Sequence, residues 1–216
     1  MPLLLMAFLL AGLQPPSSPR GGPRDLAVLD DRDRPQDLLG ARTPTLLQPI
    51  FTRCSGTCPL TALALKQAVA YAQPPFRVVL LSFDGDDTAG DLREFRERLA
   101  LPAEWLLVRS TGPGELRAFL DGLDFHFMKT EGGFDHPNQS FVFSPKGVWA
   151  ATFSGAPDSK QELQDAYGRA VSADDPASLQ RLREWLLRPE ALIVLACAGM
   201  AAALAGILLF GRKATA

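Results

Sequence analysis

The stretch Phe51-Thr52-Arg53-Cys54-Ser55-Gly56-Thr57-Cys58-Pro59 constrains this chain more than any other. It sets two cysteines four positions apart, between an apolar run, Thr45 to Phe51, and a helix-like run, Leu60 to Tyr71. A run with few polar residues reads as a central strand buried on both faces. The thiol pair then lies in the turn between a strand and a helix, with Cys58 at the helix start. Two kinds of chemistry suit a close thiol pair in that place: binding a soft metal, or cycling through a disulfide. A helix N-terminus favours thiolate, the form that both require.

The only other cysteine, Cys197, lies in the uncharged run Ala191–Phe210. One close pair is no disulfide framework for a small fold, so Cys54 and Cys58 read as a functional pair. With 216 residues, 47% of them apolar, the chain can build one core of ordinary size plus appendages. A formal net charge of −2 with no basic face argues against a nucleic-acid partner.

Both ends speak of export. Met1 to Leu13 is apolar and breaks at Gln14-Pro15-Pro16-Ser17-Ser18-Pro19. At about 1.5 Å per residue it covers about 20 Å, the length of a signal-peptide core rather than a bilayer span. No Lys or Arg precedes it. Ala191–Phe210 is long enough to span as a helix, and Arg212 and Lys213 follow at once, which places the tail in the cytoplasm. The expected layout is a signal-like segment and flexible lead-in over 1–24, a folded domain over 25–170, a juxtamembrane helix over 171–190, a membrane-spanning helix over 191–211 and a cytoplasmic tail over 212–216. The domain then faces the periplasm or cell exterior, anchored by its C-terminus.

Within the domain, Leu26 to Leu29 reads as a short strand, with Asp30–Asp33 its turn, and Thr45 to Phe51 as a strand that bulges or ends near Pro49. Leu60 to Tyr71 reads as a helix, Phe76 to Phe83 as a strand, and Thr88 to Leu99 as an amphipathic helix. Trp105 to Val108 is a short strand and Gly114 to Leu120 a short helix. Gln139 to Ser144 and Val148 to Phe153 form a hairpin about Pro145-Lys146-Gly147, and Asp158 to Ala170 is the last helix of the domain. A further helix is expected over Pro176 to Leu187. The order β-α-β, later β-β-α, is that of an α/β thioredoxin-like fold with a mixed sheet. That fold carries its active site after the first buried strand, where the cysteines lie.

Three residues separate the cysteines, whereas the usual disulfide oxidoreductase spacing is two, and the difference favours metal. Two sulfurs rarely complete a site, and histidine is the natural third ligand. Of the two histidines, His136 sits in the turn-rich loop Gly132–Asn138, expected at the same end of the sheet as the cysteines. His126, in Asp124-Phe125-His126-Phe127, has a strand-like setting and reads as half-buried beside the sheet. Two thiolates and an imidazole suit copper, particularly Cu(I) with Cu(II) as the alternative state, whereas structural zinc prefers four ligands. Asp135 is a candidate to orient His136 or simply a turn residue. Asp84, Asp86 and Asp87 lack the rest of a calcium loop and read as a solvated turn. Arg53 is the only cation near the pair in sequence, as a peroxidase using one of these cysteines would need.

These residues resemble the SCO/SenC family of copper-binding assembly factors. The stretch Phe51 to Pro59 resembles the family's FTxCxxxCP motif, and Phe83-Asp84-Gly85-Asp86-Asp87-Thr88 its SxDPxxDT segment. Asp135-His136, ahead of Ser140 to Gly147, resembles its DHSxxxxLxxPxG segment. The likeness runs over about residues 25 to 170. It departs at Ser55-Gly56-Thr57, where Pro-Asp/Glu-Val is common, at Gly85 in place of Pro, at Pro137 in place of Ser, and in the C-terminal anchor. The resemblance implies a thioredoxin-like fold that binds copper through Cys54, Cys58 and His136. It implies copper delivery to, or thiol reduction at, the dinuclear copper site of subunit II of a haem-copper oxidase; another envelope copper protein is the alternative client. A membrane-tethered thiol-disulfide oxidoreductase, with Cys54 and Cys58 as its redox pair, is the other reading.

Overall fold

The computed structural model describes residues 26–72 and 75–174. The signal-like segment, the helix expected over Pro176 to Leu187, the candidate span with Cys197 and the tail all lie outside the described residues. Among the described residues no helix is long and apolar enough to cross a membrane.

Among the described residues nine strands and four helices follow one another: β1 Val28–Asp30, β2 Pro35–Gln36, β3 Thr45–Ile50, α1 Thr57–Ala70, β4 Arg77–Ser82, α2 Ala89–Arg98, β5 Leu106–Ser110, α3 Pro113–Asp121, β6 Met128–Thr130, β7 Gly133–Asp135, β8 Gln139–Phe143, β9 Trp149–Ser154 and α4 Lys160–Ala173. Seven strands form one sheet in the order β2-β1-β5-β4-β3-β8-β9, and β6 pairs β7 separately. Strands β3, β4 and β5 run parallel, while β8 is antiparallel to β3 and β9 to β8. The order β4-β3-β8-β9, with α1 joining its two parallel strands and α4 following β9, is the thioredoxin-like arrangement expected from the sequence. Helix α2 and strand β5 extend the sheet on one side, and β1 and β2 continue it.

Every residue of β3 is buried, as are five of the six in β4. A strand covered on both faces needs such a continuous apolar run. Two residues of β3 are polar, Thr45 at its start and Gln48 in its middle; Gln48 Nε2 donates to the Pro49 carbonyl at 2.8 Å and its Oε1 accepts from the Ser140 hydroxyl.

The bulge or strand end expected at Pro49 is absent. Register with β4 is unbroken from Thr45 to Ile50. Ile50 turns its carbonyl toward β4, accepting from Phe83 N at 2.9 Å, so Pro49 points the other way. On that side pairing with β8 has already stopped at Leu47. The missing N–H therefore costs the ladder nothing.

Two boundaries differ in ways that matter. The first strand covers Val28–Asp30 rather than Leu26 to Leu29, because the buried Asp30 carboxyl closes the turn to β2, accepting from the backbone N–H of Arg32 (2.8 Å) and Arg34 (2.9 Å). Helix α1 begins at Thr57, three residues before the expected start, so Cys58 falls in its first turn.

Candidate metal centre

The cysteine loop is the connection from β3 to α1. Asp87 holds its first part. Its carboxyl accepts from Thr52 N at 2.9 Å, Thr52 Oγ1 at 2.6 Å and Ser82 Oγ at 2.6 Å. Arg53 donates to Asp84, and Arg98 donates to the Thr52 carbonyl at 2.9 Å. Asp84 and Asp87 are buried, which corrects the expectation of a solvated turn; only Asp86 is in solvent, where it pairs with Lys129. Turn composition hid this role, since a row of acids after a strand is ordinarily hydrated. Arg53 is committed to these carboxylates, against the cation role that a peroxidase would ask of it.

Beyond Thr52 the loop is exposed. Cys54 is half-buried, and its sulfur accepts from Gly56 N at 3.4 Å. Gly56 caps α1 and offers no side-chain oxygen to the helix end. Cys58 is 1% exposed and packs in the core beside Ala62 and Leu65. Burial pushes its thiol up to about 12, with the neighbouring Cys54 adding to the rise. Backbone hydrogen bonds from Phe51 and from Cys58 itself pull the other way and do not offset it. The expectation that the helix start would favour thiolate is thus overturned at Cys58: removing the sulfur from water outweighs the helix end.

His136 follows β7 and meets this thiol from 78 residues further along the chain, with Nε2 at 4.0 Å from Cys58 Sγ. Its other nitrogen, Nδ1, lies 2.9 Å from the Pro137 carbonyl. A carbonyl only accepts, so Nδ1 carries the hydrogen and Nε2 turns its lone pair to the thiol. The orienting group is therefore Pro137, and Asp135, exposed on β7, is not the partner. The imidazole stands among three phenylalanines, with ring centres 5.9 Å from Phe51, 5.1 Å from Phe83 and 5.9 Å from Phe125.

Asn138 ties the histidine loop to α1, its Oδ1 accepting from Thr61 Oγ1 at 3.0 Å. His126, expected half-buried, is exposed instead. It stands between Asp121 (3.0 Å) and Asp124 (3.1 Å), which raise its pKa, the hydrogen bond to Asp121 contributing most. The alternating phenylalanines that suggested a strand belong to an irregular segment before β6.

The donor set fits a soft ion. One ion bonded to a thiolate sulfur at about 2.3 Å and an imidazole nitrogen at about 2.0 Å holds the two atoms about 3.5–4.3 Å apart, depending on the bond angle. The 4.0 Å between Cys58 and His136 lies within that window. Among the described residues no three His, Cys, Asp or Glu side chains are already gathered to metal-holding distance. The pair is formed, and Cys54 stands beside it on the exposed loop.

No family model matches the chain, and no curated protein matches it significantly. Among solved structures, an SCO1/SenC family lipoprotein from Bacillus anthracis str. Ames superposes with a TM-score of 0.58 at 18% identity, over 70% of this chain and 98% of that one. This is the Sco fold. Arabidopsis thaliana ScoI, solved with copper bound, shares the Sco fold at a TM-score of 0.57 and 19% identity, over 67% of this chain and 94% of its own. A provisionally described electron transfer protein from Aquifex aeolicus VF5 is similar at 27% identity and a TM-score of 0.64, over 72% of this chain and 95% of that one.

Proposed function

We propose that the chain is a member of the SCO/SenC family, a copper chaperone that holds one Cu(I) through Cys54, Cys58 and His136. In this role it hands the ion to the dinuclear copper centre of subunit II of a haem-copper oxidase, or to another envelope copper protein. The span over 191–211 tethers it to the membrane, with the domain on the extracytoplasmic side. Acting as a chaperone, it passes on its cargo and turns over no substrate.

The observation that carries the reading is Nε2 of His136 facing Cys58 Sγ at 4.0 Å, with Nδ1 turned to the Pro137 carbonyl, on a fold shared with copper-bound ScoI. Burial keeps the Cys58 thiol protonated in the apo protein, which protects it from oxidation. An arriving soft cation displaces that proton to solvent. His136 contributes a neutral nitrogen already aimed, and Cys54 closes the set from the exposed loop. The phenylalanines around the imidazole fix its ring and keep water from its faces.

The test is competition for Cu(I), reduced and anaerobic, on the full chain carrying Cys197→Ser. One tightly held copper is expected, with its affinity lowered more than about tenfold in each of Cys54→Ser, Cys58→Ser and His136→Ala. Loss of copper from the parent chain to a modest chelator would overturn the reading.

Unequal burial of the two thiols favours a second reading, thiol-disulfide exchange. The half-buried Cys54 thiolate attacks a client disulfide and forms a mixed disulfide, expelling one client thiolate. The Cys58 sulfur then attacks Cys54, its proton passing to the departing second client sulfur, which leaves a Cys54–Cys58 disulfide and a client carrying two more electrons. His136→Ala separates the readings: it cripples copper retention and leaves exchange largely intact.

A further inference from the structure

The 4.0 Å between His136 Nε2 and Cys58 Sγ spans two elements, the histidine loop and helix α1. The bond from His136 Nδ1 to the Pro137 carbonyl sets the ring on its own backbone and does not reach the helix. The phenylalanines around the ring seat it by apolar contact, which has no direction. Apart from the facing pair itself, one hydrogen bond joins the helix to the histidine loop among the described residues: Thr61 Oγ1 donates to Asn138 Oδ1 at 3.0 Å. Its ends flank the site. Thr61 follows Cys58 by three positions, on the same face of α1, and both are buried. Asn138 follows His136 by two. A helical threonine commonly turns its hydroxyl back to a carbonyl of the preceding turn. Thr61 directs its single donor across the gap instead. Asn138 is fixed from the other side as well. Its carbonyl accepts from Gly155 N at 2.8 Å. Gly155 has φ +80, and a Cβ there would stand 3.1 Å from Asn138 Nδ2, so the glycine lets the β9–α4 turn close on the amide.

We propose that Thr61 and Asn138 are positioning residues for copper: their bond holds the histidine loop at the distance from α1 at which one ion reaches both His136 and Cys58. The inference rests on the copper reading above. Both residues act through His136. Without the bond, the ion must order the loop as it binds, and that cost lowers affinity. Thr61 and Asn138 also line a surface groove of about 800 Å³. Water from the groove replaces a lost partner of Asn138, so removing the hydroxyl removes position and leaves no buried group unpaired.

The experiment compares Thr61→Val, the same shape without the hydroxyl, with Thr61→Ser, in the full chain carrying Cys197→Ser. The first measurement is anaerobic Cu(I) competition, with His136 present and in the His136→Ala background. With His136 present, Thr61→Val is expected to lower affinity about fivefold, the worth of one neutral hydrogen bond, and Thr61→Ser to keep it. In the His136→Ala background Thr61→Val is expected to change nothing, whereas a merely structural role would lower affinity in both. The second measurement needs no copper. The His136 ring protons, assigned by His136→Ala, stand among aromatic rings whose currents displace their resonances. In the apo, reduced protein they are expected to move in Thr61→Val and to stay in place in Thr61→Ser. Unmoved ring resonances or unchanged copper affinity in Thr61→Val overturns the inference, as does an equal loss of affinity with and without His136. A parent chain that holds no copper, or one that His136→Ala leaves unweakened, would instead sink the copper reading, and the apo resonances still show whether Thr61 positions the ring.

Discussion

Cys58 is a thiol that the fold holds in its protonated form. Its pKa rises from 9.0 to about 12 because burial disfavours the charged sulfur. A group whose pKa is raised by folding lends its stability below the unfolded value and loses it as pH climbs toward the folded one. The apo, reduced protein is therefore expected to lose on the order of 4 kcal/mol between about pH 9 and pH 12, at about 1.4 kcal/mol per pH unit. Urea unfolding of the parent chain and Cys58→Ala across that range reads the difference directly. An equal decline in both would show that Cys58 is not its source. At the same scale, the ligand candidates were legible because cysteine and histidine are few and their spacing is informative. The orienting partner of His136 was not, since a backbone carbonyl has no signature in a sequence. Asp87 was hidden for a related reason: only the fold brings Thr52 and Ser82 to it.

Among the elements, the sequence concealed the two-residue strand β2 and, with more consequence, the hairpin β6–β7. Its strands are three residues each, and Met128-Lys129-Thr130 is exposed throughout, so no apolar alternation marks it. Yet this hairpin delivers His136. It lies close against the cysteine loop: Gly133 has φ +141, and a Cβ there would stand 3.2 Å from the Phe51 ring. An alanine at 133 meets both a strained backbone and a rigid aromatic neighbour. Gly133→Ala is expected to lower stability by more than about 1 kcal/mol and to weaken copper retention by displacing the histidine loop. Thermal unfolding and chelator competition check the two parts, and unchanged copper retention would separate the hairpin from the site. The longer elements were legible. Strands β3 and β4 announce themselves as apolar runs, and α2 by its stripe of Leu92 and Phe95, both fully buried. Thr88 caps α2, its hydroxyl accepting from Asp91 N at 3.2 Å while Asp91 accepts from Thr88 N at 2.7 Å.

At the scale of the molecule, the sheet order puts the loop after β3 and the loop before β8 side by side, because β3 and β8 are antiparallel neighbours. The end of one strand is then next to the start of the other. That juxtaposition follows from the β-α-β and β-β-α order, which is why a cysteine and a histidine 78 residues apart were readable as one site. Hydropathy could supply the order but not the distance of closest approach, which depends on side-chain packing among Phe51, Phe83 and Phe125. The central claim is that three side chains from two loops share one ion, and the Cu K-edge X-ray absorption of the Cu(I)-loaded chain in its Cys197→Ser form tests it most directly. Two sulfur ligands and one nitrogen ligand are expected, with the nitrogen lost in His136→Ala. A spectrum of sulfur ligands alone, or one that His136→Ala leaves unchanged, would contradict the account.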